Sequence, residues 1–372
     1  MALNYPHQAF RLTSGDSSER KLEFFKRILE HIKQNEEQAT SSDNLLSIVD
    51  YLVEKLLLPE NISFRLYQMV YRLQQFFCTR DIDCELKIFG SVGSGLALKD
   101  QYDVDVYLES LSNQFSYNNK SIPQLNKYLR DLQKLVEANE NRLFPLGCRI
   151  ELITHPKIRV PLLRIFNDTN FGRVDEDDDD GDVEVVSIRC DLNINSPFGV
   201  ENTKFIKFLC DFEPKFKAMA ILVKLWARDF LPQSLEIKLS SYAALLLVIF
   251  FLQNRKILPP IRKFIQASPH RAYIDGYRVD FCTDISRINF KKTQEQTPIH
   301  KLFAGFFDYY TRLDYRWNRL SVFEGRLEAK KHPVFNLVLF DPFEHTHNTT
   351  SQVKLREFVE RMKKTQQLFG FV

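Results

Sequence analysis

Two aspartates separated by one residue, Asp103 and Asp105, follow a glycine-rich turn that runs from Gly90 to Gly95. In a strand, residues i and i+2 point to the same face, so these two carboxylates are expected to lie side by side. Such a pair repels itself unless a cation lies between its members, and carboxylate oxygens suit Mg²⁺ or Mn²⁺. Glycines let the backbone approach phosphates closely, and Ser91 adds a hydroxyl and an N–H. The pattern predicts metal-dependent phosphate chemistry; the alternative is a solvated strand edge after a hairpin turn.

A third carboxylate, Asp191, lies near the end of another predicted strand, Val183 to Ile194. If that strand lies beside the one that carries Asp103, the third acid can complete a metal site and take the proton from an attacking hydroxyl. Asp168 is a rival for this role. It lies in the turn-like sequence Asn167 to Asn170, which favours Asp191.

Two further patterns suit the binding of phosphates. Lys224 and Arg228 are four residues apart on a predicted helix, hence on one face, where two cations can hold β- and γ-phosphates. The alternative is a solvated basic face. The sequence Ser240-Ser241-Tyr242 opens a very apolar helix, so its hydroxyls lie at a helix N-terminus that suits phosphate. The alternative is that Ser240 only caps the helix and Tyr242 is a core aromatic residue.

Composition indicates an ordinary soluble protein that is large enough for two cores. The chain has 372 residues, of which 44% are hydrophobic, 27% are charged and 32 are phenylalanine. Its net charge is +3, but residues 175–182 carry seven acids, and removing those seven negative charges leaves +10 for the remainder. Such a body favours polyanions such as RNA, and the acidic run is expected to be a solvated loop. The six cysteines show no Cys-x-x-Cys pair, so a zinc site is not predicted.

Hydrophobic periodicity and turn residues predict the order of the elements. Helices are predicted at 21–36, 43–57, 63–79, 123–138, 214–230, 239–253, 298–313 and 353–368. Strands are predicted at 84–90, 104–108, 149–154, 158–166 and 183–194, with short strands around 320–340. The most apolar run, 242–252, is too short for a membrane span and predicts a buried helix.

Taken together, the motifs resemble those of the terminal uridylyltransferases and non-canonical poly(A) polymerases, within the DNA polymerase β-like nucleotidyltransferase superfamily. The resemblance extends from about residue 60 to residue 368. The matching motifs are Gly90-Ser91, Asp103 and Asp105, Cys190-Asp191, and Asn202-Thr203. Three features depart from the family pattern: the Gly90–Asp103 loop is one residue longer, Tyr102 replaces a common serine, and the acidic insertion stretches the spacing to Asp191.

The resemblance implies an α+β fold: a polymerase β-like palm with a mixed sheet, and a helical central (PAP-associated) domain, with the active site in the cleft between them. It divides the chain into a flexible N-terminus at 1–19, N-terminal helices at 20–61 that pack on the helical domain, a catalytic palm at 62–198 and a helical nucleotide-recognition domain at 199–372. The acidic loop is placed at 167–183, within the palm.

Residue roles follow from the same resemblance. Asp103, Asp105 and Asp191 are expected to be catalytic and to hold Mg²⁺ or Mn²⁺. Ser241 is expected to contact the triphosphate, Tyr242 to stack on the base, and Asn202 with Thr203 to contact the sugar and base. The implied nucleotide-binding residues are Gly90, Ser91, Asn202, Thr203, Lys224, Arg228, Ser241, Tyr242, Asp341 and His347.

Base choice is expected to depend on His347, six residues after Asp341 in an Asp-Pro-Phe motif. In the family, a histidine at this position marks uridylyltransferases. An imidazole N–H can donate to O4 of uracil, whereas adenine presents an amino donor there. The alternative is an ordinary surface histidine, which is the interpretation given to His345.

The resemblance implies a cytoplasmic, monomeric RNA uridylyltransferase that needs no membrane. It would add UMP from UTP to an RNA 3′-hydroxyl and release pyrophosphate by a two-metal mechanism. One alternative is a poly(A) polymerase that adds AMP from ATP. Another is a catalytically silent RNA-binding scaffold, which the presence of all three acids disfavours.

Overall fold

A computed structural model of the protein confirms the α+β class. It describes residues 17–38, 42–99, 102–111, 122–144, 147–154, 161–171, 184–194, 197–231, 239–291, 293 and 297–370. The acidic run 175–182 and residues 1–16 lie outside the described residues, so the expectations of a solvated loop and of a flexible terminus remain expectations.

The helices, in chain order, are α1 (Ser18–Gln38), α2 (Ser42–Leu56), α3 (Glu60–Cys78), α4 (Gly90–Gly93), α5 (Ile122–Glu137), α6 (Glu140–Leu143), α7 (Pro197–Phe212), α8 (Pro214–Phe230), α9 (Ser241–Asn254), α10 (Ile261–Ala267), α11 (Ile299–Arg312) and α12 (Leu355–Phe369). The strands are β1 (Cys84–Phe89), β2 (Val104–Ser110), β3 (Cys148–Ile153), β4 (Leu162–Phe171), β5 (Glu184–Asn193), β6 (Tyr273–Ile274), β7 (Tyr277–Arg278), β8 (Asn318–Ser321) and β9 (Arg326–Ala329).

A five-stranded mixed sheet has the order β1-β2-β5-β4-β3. Strands β2 and β5 pair in parallel, and the other neighbours are antiparallel. The expectation of a turn at Asn167 to Asn170 was wrong, because these residues continue β4 and pair with β5. A hairpin partner supplies backbone hydrogen bonds that outweigh the turn preference of Asn and Asp.

Alternation along the strands gives the sheet two different faces. Apolar residues such as Val104, Val106, Leu163 and Ile165 point to one face and form a core with α3 and α5. The opposite face carries the odd-numbered residues of β2, including Asp105, and therefore bears the polar chemistry. Because hydrophobic burial fixes which face is covered, the acids are held on the open one.

A second hydrophobic core joins α1 and α2 to the helices from α7 onward. Helix α9 is apolar on all sides and almost fully buried, as expected for a central helix. Helix α8 packs against it, starting with Pro214 in its first turn, where the missing N–H costs nothing. None of the described helices combines the length and apolar character that a membrane span requires.

We expect Thr365→Val to destabilise the attachment of α12. The Nε1–H of Trp226 donates to Oγ1 of Thr365 over 2.9 Å, and both side chains are fully buried. Valine keeps the volume but leaves the indole N–H unsatisfied, which costs about 1–3 kcal/mol. Urea unfolding would measure the loss.

Thr311→Val is the matched control for that variant. The Thr311 hydroxyl also donates to a carbonyl of its own helix, but no buried donor depends on it. Its cost should stay within about 0.5 kcal/mol. Equal unfolding free energies for the two variants would contradict a role for the Trp226–Thr365 bond.

Candidate active site

The glycine turn after β1 has a left-handed backbone at Gly90 and leaves no room there for a side chain. Gly90 has a φ of +71°, and a Cβ atom on it would lie 2.1 Å from Oδ2 of Asp105. A Cβ on Gly93 would lie 2.9 Å from both the Ile88 carbonyl oxygen and Cγ2 of Thr203. The main chain therefore passes directly against the carboxylate of Asp105.

Thr203 anchors this turn to α7. Its hydroxyl accepts from the Gly90 N–H over 2.8 Å and donates to the Gly199 carbonyl over 2.7 Å. The sequence predicted that Thr203 contacts the sugar and base. In the structure its hydroxyl is engaged in holding the turn, although the residue does line the same cavity.

The three acids meet at the parallel β2–β5 pair. Asp105 lies directly opposite Asp191 in the register, and Asp103 precedes β2 on the same face. Arginines from the sheet partly neutralise this charge. Arg164 donates from Nε and one Nη to the two oxygens of Asp191, over 2.8 Å each, and Arg189 contacts Asp103.

Among the described residues, none makes a comparable hydrogen bond to Asp105, and the environment of this carboxyl disfavours its charged form. Burial raises the pKa of the Asp105 carboxyl to about 7, and the negative charges of Asp191 and Asp103 act in the same direction. The positive charges of Arg189 and Lys224 oppose this shift only in part. The pKa of Asp103 is also raised, chiefly by burial, with Arg189 opposing.

The donor set fits a divalent cation at Asp103 and Asp105. Two carboxylates on one face, both with raised pKa values, are the arrangement that an oxygen-seeking cation stabilises. Among the residues that the structure describes, however, no three acids, histidines or cysteines form a ready metal cluster. Asp191 does not complete one, because both of its oxygens accept from Arg164.

The two cations predicted on α8, Lys224 and Arg228, differ in their burial and in their partners. Lys224 is 7% exposed, and it makes no hydrogen bond or ion pair within 4.0 Å with any described residue. Burial lowers the pKa of its ammonium to about 8, against the opposing negative charge of Asp105. Arg228 lines the same cavity but makes two hydrogen bonds to Asp229, of 2.7 and 2.9 Å. Lys224 is therefore the buried cation that needs an anion.

At the start of α9, one serine caps the helix and the other faces the cavity. Ser240 is the N-cap, and its hydroxyl accepts from the Ala243 N–H over 3.1 Å. Ser241 is the first helical residue and lines the cavity, as does Tyr242. The Tyr242 hydroxyl donates to Oδ2 of Asp341 over 3.0 Å, and burial beside that carboxylate raises the pKa of the phenol well above its ordinary value.

Asp341 is the centre of a hydrogen-bond network that uses both of its carboxylate oxygens. Its Oδ2 accepts from Tyr242 and from Nδ2 of Asn202, the latter over 2.9 Å. Its Oδ1 accepts the N–H groups of Phe343 and Glu344, over 2.9 Å each. Asn202 keeps one buried atom, Oδ1, that has no hydrogen-bond partner among the described residues. Asp341 thus fixes the orientation of Asn202 and Tyr242.

His347 is half-buried in the wall of the cavity. Its Nδ1 lies 3.7 Å from Oε2 of Glu344, and its backbone carbonyl accepts from the Asp341 N–H over 2.9 Å. His345 points elsewhere: its ring packs on those of Tyr277 and Phe323. The histidine chosen as a base reader therefore faces the cavity, and its neighbour packs on other aromatic rings.

One cavity of about 650 Å³ collects these groups. It is lined by the predicted residues Gly90, Ser91, Asp103, Asp105, Asn202, Thr203, Lys224, Arg228, Ser241, Tyr242, Asp341 and His347. Asp191 does not line this cavity and is 6% exposed. Three residues that contact the predicted ones were not foreseen from the sequence: Arg164, Arg189 and Glu344. The alternation of β4 and β5 could have placed both arginines on the face of the acids.

Parts of the chain are similar in sequence to known proteins. Residues 45–211 match the family model for the central palm domain of mitochondrial-like poly(A) RNA polymerases. The chain is 26% identical over 257 residues to the poly(A) RNA polymerase cid11 of Schizosaccharomyces pombe, covering 68% of this chain and 45% of the relative. It is 24% identical over 290 residues to the terminal uridylyltransferase cid1 of the same yeast, covering 72% of this chain and 63% of the relative. The chain thus spans less than two thirds of the length of either relative.

Solved structures show the same fold. The match to the crystal structure of mtPAP in complex with UTP covers 100% of this chain and 78% of the mtPAP chain, with a TM-score of 0.69 at 19% identity. The match to the crystal structure of the Cid1 poly(U) polymerase with Mg and 3′-dATP bound covers 89% of this chain and 95% of the Cid1 chain, with a TM-score of 0.66 at 20% identity.

The mixed sheet and the helical core have the polymerase β-like fold of these solved structures. The comparisons further confirm the resemblance to the family of non-canonical poly(A) polymerases and terminal uridylyltransferases that the motifs indicate.

We expect Gly90→Ala to cost more than Gly95→Ala, although both glycines have a φ of +71°. Each alanine pays the left-handed backbone penalty of about 1–2 kcal/mol. Only the Cβ at position 90 also meets a neighbour, Asp105, because nothing lies within 4 Å of a Cβ at position 95. Urea unfolding would give the stability of both variants, and Mn²⁺ titration would show the loss of the acidic site only for Gly90→Ala. Identical Mn²⁺ binding would contradict the close packing of Gly90 on Asp105.

Proposed function

We propose that this chain is a template-independent RNA 3′-terminal uridylyltransferase, which transfers UMP from UTP to an RNA 3′-hydroxyl and releases pyrophosphate. One observation carries the proposal. A single cavity holds a carboxylate pair that needs a cation, Asp103 and Asp105, and a buried cation that needs an anion, Lys224. A metal-bound nucleoside triphosphate satisfies both requirements at once.

The acids serve the reacting end of the nucleotide. Mg²⁺ or Mn²⁺ held by Asp103 and Asp105 would lower the pKa of the RNA hydroxyl and offset the charge of the leaving pyrophosphate. Asp191 is proposed as the third acid, opposite Asp105. Arg164 donates two hydrogen bonds to Asp191, and the carboxylate must leave that guanidinium before it can bind a cation or accept a proton.

The phosphates are proposed to lie between the glycine turn and α8. Lys224 would neutralise the β- and γ-phosphates from its buried position, where a charge acts strongly. Arg228 contributes less net charge, because Asp229 is already bound to it. Ser91 and Ser241 offer hydroxyl groups from the two walls of the cavity.

The nucleoside is proposed to lie on the side of Asp341. Tyr242, fixed by Asp341, presents its ring for stacking on the base. The unpartnered Oδ1 of Asn202 offers an acceptor to a ribose hydroxyl. His347 would donate an N–H to O4 of uracil, and Oε2 of Glu344 lies 3.7 Å from its Nδ1.

The same geometry supplies the argument for the runner-up, a poly(A) polymerase. A neutral His347 ring with its proton on Nδ1, facing Glu344, leaves Nε2 as an acceptor. That acceptor suits the amino group of adenine. The relatives include both a poly(A) RNA polymerase and a terminal uridylyltransferase, so both functions occur among proteins similar to this chain.

We expect Asp103→Ala and Asp105→Ala each to abolish RNA extension while the protein stays folded. Loss of a cation ligand removes several kcal/mol of transition-state stabilisation, about a thousandfold or more in rate, and also relieves the carboxylate repulsion. Primer extension with Mg²⁺ or Mn²⁺ would measure the rate, and circular dichroism the fold.

Asp131→Ala, an exposed carboxylate on α5, is the control and should extend RNA like the parent protein. If either active-site variant kept more than about a tenth of the parent rate, the two-metal assignment would be wrong, since a tenfold loss is only about 1.4 kcal/mol. If the parent protein failed to extend RNA with every nucleoside triphosphate tried, the enzyme proposal would be wrong. The catalytically silent RNA-binding scaffold would then replace it.

We expect His347→Ala to weaken the preference for UTP over ATP. It removes a hydrogen bond that uracil accepts and opens the pocket to a purine, a change of about 1–3 kcal/mol, or about ten- to a hundredfold. Competition between UTP and ATP at equal concentration, with the added nucleotides read by sequencing, would measure the ratio.

His332→Ala, at an exposed histidine outside the cavity, is the matched control and should leave the ratio unchanged. A parent protein that prefers ATP would support the poly(A) polymerase instead. A UTP preference that survives in His347→Ala would leave the reaction in place and remove only the base reader.

A further inference from the structure

The polar face of the sheet continues beyond the acids. Because side chains alternate along each strand, the registers place residues of β2, β5, β4 and β3 in rows across one face. One row contains Asp105, Asp191, Arg164 and Glu151. The row beside it contains Asp103, Arg189, Phe166 and Arg149. We call Arg149, Arg164, Phe166 and Arg189 the arginine–phenylalanine strip.

The strip combines N–H donors with a half-buried aromatic ring. The Arg149 side chain is 67% exposed, its Nε lies 3.1 Å from Oε1 of Glu151, and its guanidinium carbon lies 4.0 Å from the centre of the Phe166 ring. Arg164 uses two of its five N–H groups on Asp191. Nε of Arg189 is buried and makes no hydrogen bond to any described residue. Arg149 is thus the most exposed cation of the strip, and Arg189 holds an unsatisfied donor beside the acids.

The strip lies outside the nucleotide cavity, since none of its four residues lines it. Helix α7 packs against β1 and β2, while α5 packs against β3 and β4 beside the buried core. At about 4.8 Å per strand, the row from β5 to β3 spans about 10 Å. The strip therefore starts at the catalytic acids and leads away from the site proposed for the nucleotide.

We propose that the arginine–phenylalanine strip binds the last two or three nucleotides of a single-stranded RNA acceptor, with arginines on the phosphates and Phe166 against a base. This inference rests on the proposed function. An arginine fork matches a phosphate bidentately, and aromatic rings stack on any base without sequence preference. The charge of +10 outside the acidic run complements the same polyanion. The RNA enters along β3 and β4, and its 3′-hydroxyl reaches Asp105 and Asp191.

The test measures RNA binding without any nucleotide. The probe is a short, 5′-labelled single-stranded RNA, followed by fluorescence anisotropy over a range of salt concentrations. Arg149→Ala should weaken binding about five- to tenfold at low salt and reduce the salt slope by about 0.7, the loss of one phosphate contact. Phe166→Leu should weaken binding about tenfold with an unchanged slope, and Phe166→Tyr should restore it.

Arg130→Ala is the matched control. It removes the same charge from an exposed arginine on α5, which packs on the opposite face of the sheet, and it should leave RNA binding at the parent level. Steady-state extension should show a higher KM for RNA, with the KM for the nucleotide unchanged, in the Arg149 and Phe166 variants.

The outcomes separate this inference from the proposed function. Parent-like RNA binding by both Arg149→Ala and Phe166→Leu would overturn the strip even if the protein extends RNA, and so would a parent protein that binds no RNA. Weaker binding in both variants, together with no extension by the parent from any nucleoside triphosphate, would support the strip and overturn the transferase.

Discussion

The parallel pairing of β2 with β5 forces Asp105 and Asp191 to lie side by side. The surrounding cations partly neutralise the negative charge of these carboxylates. Like charges in a partly buried place are costly unless cations approach them. The sheet supplies Arg164 and Arg189, and α8 supplies Lys224 from the other hydrophobic core. Asp105 still has a pKa raised to about 7, so the compensation is incomplete at the residue that the glycine turn also crowds.

A second buried carboxylate, Asp341, has its negative charge stabilised by hydrogen bonds alone. It is 2% exposed and receives four hydrogen bonds, two from the backbone and two from side chains. Those bonds need no added cation, so Asp341 acts as a rigid support for Asn202 and Tyr242. The cavity therefore has two acidic ends. At one end Asp341 already has its full set of hydrogen bonds, and at the other end the carboxylates of Asp103 and Asp105 leave room for a metal ion.

Local patterns predicted most of the helices and the glycine turn, because periodicity and spacing are written in neighbouring residues. The partners of the acids could not be found in this way. Arg164 and Asp191 are 27 residues apart, and their contact depends on a hairpin register that follows only from the folded sheet. Asp168 was judged by its turn-like neighbours, whereas the register places it opposite Ser187, four residues from the Asp191 pairing. Local propensity gave way to strand pairing at that point.

The acids and His347 are held by different parts of this molecule. The acids and Lys224 lie where the phosphates are proposed to bind, whereas His347 lies on a segment of the second core that Asp341 and the Phe340–Asn348 bridge hold in place. On the proposed function, a substitution at His347 would alter base preference without disturbing the acids. Such a separation would let one palm serve proteins named for poly(A) synthesis and for uridylyl transfer, as the relatives of this chain are. The proposal thereby assigns base selectivity to one imidazole and its neighbour Glu344, where few hydrogen bonds must distinguish two bases.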